Sequence, residues 1–150
     1  HNGYPTAIAL GYNPCSKFPG RNTNMDKLKS AINWFEIPAL DFQRAVRFYS
    51  DIFAYELPTR DMGQLRMGFF QHEPGAGTGG AIVCGDGYQP SEHGSKLYLN
   101  AGNDLLAVLE RVESAGGTVV MGKTEISPEV GYFAILTDSE GNRIFLHSMN

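Results

Sequence analysis

One supersecondary pattern is written twice in this 150-residue chain. A repeated unit of this kind folds as two similar halves with a cleft between or beside them. The first copy opens with Ala31-Ile-Asn-Trp-Phe-Glu-Ile-Pro38 and runs into a helical pattern from Asp41. The second opens with Lys96-Leu-Tyr-Leu-Asn100 and runs into another from Asp104. Each continues into short apolar runs broken by glycines, so two modules, over about residues 30–85 and 95–148, are expected.

Within the first copy, Phe42, Ala45, Val46, Tyr49, Ile52 and Phe53 recur at helical spacing. Gln43, Arg44, Arg47, Ser50 and Asp51 fall on the opposite side, which makes an amphipathic helix laid on a sheet. Asp41 is placed to cap it, because its carboxylate can accept from a first-turn amide that lacks a partner. Tyr49 suits the apolar side if its hydroxyl finds a partner. The second helix repeats the pattern with Leu105, Val108, Leu109 and Val112 inward, and Gly116-Gly117 stops it. Strands are expected over 31–38, 65–70, 79–84, 96–101, 117–121, 131–137 and 142–148, with a short one near 55–60. Asp138-Ser-Glu-Gly-Asn142 has the residues of a tight hairpin turn. The pattern is therefore α+β, with two βαβββ modules.

Residues 1–24 are rich in Gly, Pro and Asn and carry no sustained periodicity, so they read as an irregular extension. Residues 25–150 are expected to make a single domain. The whole chain has a net charge of −4 and its basic residues are scattered, which argues against nucleic acid as a partner. The sequence has no apolar run long enough to span a membrane. Its two cysteines, Cys15 and Cys84, form no disulfide framework, and a cytoplasmic setting is expected.

The stretches Ile37-Pro-Ala-Leu-Asp-Phe-Gln-Arg-Ala-Val-Arg-Phe-Tyr-Ser-Asp-Ile-Phe53 and Asp104-Leu-Leu-Ala-Val-Leu-Glu-Arg-Val-Glu-Ser-Ala-Gly-Gly117 carry a resemblance. With the closing Thr137-Asp-Ser-Glu-Gly-Asn-Arg-Ile144, they are similar to the vicinal oxygen chelate superfamily of glyoxalases, bleomycin-resistance proteins and extradiol dioxygenases. The resemblance covers about residues 30–148. It implies two curved mixed-sheet half-barrels around a concave cup, and a homodimer. Metal-using members carry ligands on the first and last strands of each module. Carried over, those positions fall on Trp34, Ile82, Lys96 and Phe145. Trp, Ile and Phe have no suitable donor atom, and a lysine ammonium has no lone pair. The resemblance thus implies a site without metal or other cofactor.

Strand alternation suggests what lines the cup instead, since every second residue shares a face. Trp34 and Glu36 on the first strand should face it, with Lys96, Tyr98 and Asn100 opposite. Phe145 and His147 should join from the last strand, and Ile82 and Cys84 from the strand over 79–84. Glu36 and Lys96 have two readings, an ion pair between equivalent strands or a pair that orients a ligand substituent. His147 reads either as a satisfied barrel-end histidine or as a general base. The expected function is metal-free binding of a partly apolar small molecule in an aromatic cup. The alternatives are a lyase, isomerase or dioxygenase with an unconventional metal site, Glu/His acid-base chemistry, and an interaction module with a filled cup.

Overall fold

In each half a strand feeds a helix, three antiparallel strands follow, and the last of them lies parallel beside the first. The computed structural model describes residues 28–150, and the extension expected over 1–24 lies outside them. In the first half, β1 (Trp34–Pro38) leads through α1 (Phe42–Phe53) to β2 (Thr59–Met62), β3 (Leu65–Phe69) and β4 (Gly79–Cys84). The second half runs from β5 (Tyr98–Asn100) and α2 (Leu106–Leu109) to β6 (Thr118–Ser127), β7 (Gly131–Thr137) and β8 (Arg143–Ser148). The sheets have the equivalent orders β1-β4-β3-β2 and β5-β8-β7-β6, each with one parallel pair and two antiparallel pairs. The repeat thus yields the expected two four-stranded mixed sheets, neither closed into a barrel.

Helix α1 begins as its sequence implies. The Asp41 side chain accepts from the Arg44 amide at 3.0 Å, and the helix ends at Ala54 in the left-handed region. It buries Phe42, Ala45, Phe48, Tyr49 and Ile52. Phe48 was not expected on that face, but Gly117 leaves room for its ring: a Cβ there would lie 2.6 Å from Phe48 Cε2. Gly117 is therefore a site of close approach as well as the end of a helical turn. The second helix is shorter than its periodicity suggests, and continues as turns that still bury Val112. Strand β6 is longer than expected and carries three register shifts against β7.

One core joins the halves. Ile37, Phe48, Tyr49, Ile52 and Ile82 from the first half share it with Leu99, Leu105, Val112, Leu136 and Leu146 from the second. Polar ties reinforce it. Glu140, on the β7–β8 turn, accepts from the Leu40 and Asp41 amides at 3.0 and 2.7 Å and from Arg44 Nε at 2.6 Å. Asn142 donates to the Pro38 carbonyl, and Arg111 Nε to the Ile52 carbonyl. Among the described residues no helix is long and apolar enough to cross a membrane.

Candidate functional site

Pairing of β1 with β4, and of β4 with β3, sorts the first sheet into two faces. Phe35 and Ile37 point to the helices, and Trp34 and Glu36 to the opposite face, as alternation requires. There Trp34 lies 6.1 Å from Phe69, ring to ring, while Met67, Ala81 and Val83 form the floor with Leu65, Phe69 and Tyr88 beside them. The Trp34 indole N–H donates to Glu36 Oε1 at 3.2 Å, and the Tyr88 hydroxyl donates to Glu36 Oε2 at 2.5 Å. Tyr88 is delivered by the turn after β4, where its amide bonds the Gly85 carbonyl and Gly87 takes a φ of 86°. The bond to Glu36, helped by desolvation, raises the Tyr88 pKa above the usual tyrosine range, so the phenol stays a donor. A carboxylate is thus held on an apolar floor, beside a Trp34 that remains 42% exposed.

On the second sheet, Lys96, Tyr98, Phe145 and His147 come together. Tyr98 and Phe145 rings lie 4.8 Å apart, and the Lys96 ammonium is 5.7 Å from the Phe145 centroid. Phe145 is buried, whereas Tyr98 is 50% exposed. His147 Nε2 lies 2.6 Å from the Val130 carbonyl, which can only accept, so Nε2 carries a proton and Nδ1 is the ring's other nitrogen. Asn100 Oδ1 accepts from the Gly102 amide, leaving the side-chain NH2 to donate. Tyr98, Asn100, His147 and Met149 line a cavity of about 410 Å3.

Ile82 and Cys84 belong to the helix-side face of the first sheet, not to the cup. Ile82 pairs with Ile37 and is fully buried in the core beneath the helices, while Cys84 Sγ donates to the Leu40 carbonyl on that side. The expected parity of β4 was one residue out of step, and a one-residue slip exchanges every side chain between faces. Ala81 and Val83 occupy the positions intended for Ile82 and Cys84. Met67, Phe69 and Tyr88 were missed: the first two lie on a strand whose glycine obscures alternation, and Tyr88 lies on a glycine-rich turn.

The two clusters remain separate. Among the described residues no hydrogen bond, ion pair or ring contact joins Trp34 and Glu36 to Lys96, Tyr98, Asn100, Phe145 or His147. Glu36 and Lys96 form no ion pair; each is engaged within its own sheet. The metal that this fold family often holds has no fitting donor set. Trp34, Ile82 and Phe145 offer no ligand atom, and among the described residues no three His, Cys, Asp or Glu side chains gather closely enough to hold an ion.

Known proteins show the family to which the chain belongs. The family model described as the Glyoxalase/Bleomycin resistance protein/Dioxygenase superfamily matches residues 31–146. The chain belongs to that superfamily. A glyoxylase-like domain-containing protein of Didymella fabae is 32% identical over 117 residues, covering 77% of this chain and 91% of the relative. Among solved structures, TnmS3, an antibiotic binding protein from Streptomyces sp. CB03234, is similar with a TM-score of 0.61 at 24% identity. The match covers 79% of this chain and 95% of TnmS3. A glyoxalase I variant from Zea mays superposes with a TM-score of 0.59 at 15% identity, over 78% of this chain and only 45% of the maize chain. At these identities both structures establish the fold.

Proposed function

We propose that this superfamily member binds a small, partly apolar molecule on its aromatic sheet faces, without a metal ion or other cofactor. The arrangement of Trp34, Glu36 and Tyr88 carries the reading. Two donors fix the Glu36 carboxylate on an apolar floor, and each of its oxygens keeps a lone pair for a ligand. A flat ligand stacked on Trp34 gains about 0.5–1.5 kcal/mol per ring pair beyond the burial of area. A cationic or N–H substituent directed at Glu36 adds charge-assisted selectivity. The antibiotic binding described for TnmS3 supports a binder within the same fold. A metal-dependent lyase, isomerase or dioxygenase draws no support from the donor set.

The second cluster, built on Tyr98, Asn100, Phe145 and His147, would supply the facing half of the cup. Since the two clusters do not meet within one chain, we place them against each other across a homodimer, working in the cytoplasm. Static light scattering that returns only monomer mass at micromolar concentration would rule this assembly out.

Trp34 is the single tryptophan of the chain, so its fluorescence reports on the first cluster alone. Titration with planar aromatic amines should give saturable quenching, and Glu36→Gln should remove the preference for the amine over its neutral analogue. Quenching that never saturates, or an unchanged preference in the variant, would end this reading.

A further inference from the structure

Strands β1 and β5 each end their sheet, and no strand bridges them. Between the modules, alongside these edges, opens a cleft of about 1110 Å3. That is slightly above the roughly 300–1,000 Å3 usual for a drug-sized molecule, so a small ligand would occupy part of it. Phe35, Phe53, Tyr55 and Phe70 form its apolar wall. These rings brace one another. Phe35 lies 5.5 Å from Phe70, and Phe53 is stacked on Tyr55 at 5.6 Å with planes 12° apart. Phe53 also meets Phe70 edge-on at 6.1 Å. The wall is therefore formed before any ligand arrives.

Arg111 borders the same cleft, half-buried in the turn after α2. Its Nε donates to the Ile52 carbonyl at 2.9 Å, which orients the guanidinium and leaves the terminal nitrogens to donate elsewhere. Among the described residues, the ion pairs engage Arg44, Arg66, His93, Lys123 and Arg143, and no carboxylate pairs with Arg111. Asp104, on the same wall, is already neutralised by Lys123 at 2.9 Å and bonded by the Leu106 amide. Glu73, the other acid lining the cleft, is exposed to solvent.

We propose that this inter-module cleft, which shares Tyr98 and Asn100 with the rim of the second sheet but lies apart from the Trp34–Glu36 face, is a second binding site, for a flat aromatic carboxylate. The ring lies on the wall of Phe35 and Phe70, and the carboxylate takes two parallel bonds from the Arg111 fork, a geometry that guanidinium matches and an ammonium does not. The charge preference is opposite to that of the Glu36 cluster, so the two sites sort ligands by sign.

Calorimetric titration of the full chain with naphthoate and with neutral naphthamide tests the assignment. Naphthoate should bind once per chain, and naphthamide about tenfold or more weakly, since a bond to a charged group is lost. Arg111→Gln should abolish the difference. Ala107→Trp, which places an indole in the cleft from its α2 side, should abolish binding of both. In NMR spectra of the unmodified chain, naphthoate should move the Tyr55 ring signals and leave the Trp34 indole N–H in place. Equal affinity for the two probes, a preference that survives in the Arg111 variant, undiminished binding in the filled cleft, or a shift at Trp34 without one at Tyr55 would each overturn the proposal.

Discussion

The Tyr49 hydroxyl donates a 2.6 Å hydrogen bond to Asp138 Oδ2, tying the first helix of one module to the last hairpin of the other inside the core. Asp138 also accepts from the Glu140 and Asn142 amides and from the Asn142 side chain, so a buried carboxylate is fully surrounded by donors. Burial, then the Asp138 charge, pushes the Tyr49 phenol well above its ordinary pKa and keeps it a donor. Tyr49→Phe removes one of these donors while preserving the ring. Urea denaturation should register a loss of about 1–3 kcal/mol, the cost of leaving a buried acceptor short of a partner. A loss near zero would mean that Asp138 recovers its bond elsewhere.

The Glu140 side chain is buried, and burial by itself raises its pKa. Hydrogen bonds from Arg44 and the Asp41 amide outweigh that and hold the carboxyl below the ordinary glutamate value. A group whose folded pKa is depressed contributes stability that is complete above its unfolded pKa and disappears as pH falls through the folded one. Melting temperature should therefore drop on the acid side of about pH 4.3, and Glu140→Gln should flatten that acid limb. An unchanged acid limb in the variant would place the titration on another group.

Ile82→Ala and Trp34→Ala should separate packing from binding. The first empties a fully buried position and should cost about 2–5 kcal/mol while leaving affinity for an aromatic amine intact. The second trims a side chain on an open face and should abolish that affinity with the fold preserved. Thermal melts paired with binding isotherms distinguish them, and loss of affinity in the Ile82 variant at full folding would contradict the assignment of faces.

A chelator should leave the melting temperature where it was. A folding-coupled ion would instead make its removal destabilising, because metal affinity is then part of folding free energy. Melts with and without EDTA decide this, and a drop of several degrees would reveal a site that the donor chemistry does not suggest.

The repeat, both helix starts and the order of elements were readable because each rests on local chemistry. Asp41 announces its helix by a side chain that can cap, and Trp34 and Glu36 alternate with apolar neighbours that fix their face. β4 offered no such guide. Gly79-Gly-Ala-Ile-Val-Cys84 is covered on both faces, so its apolar run has no alternation from which to read Ile82. Tyr88 reaches Glu36 across 52 positions of sequence through a glycine turn, and no local period encodes that approach. The separation of the two clusters is likewise a property of how the modules pack, not of either strand alone.

Strand β6 ends its sheet and turns Val120, Met121 and Ile126 toward solvent, the profile of an edge on which further copies could stack without limit. Its register shifts between Val119 and Ser127 break the even spacing of amides and carbonyls that a growing fibril must copy. Irregularity here should act as protection, because an oily margin with uneven amide spacing is a poor template. Deleting Gly122 would remove one of these three irregularities, and seeded thioflavin kinetics should then show the protection reduced.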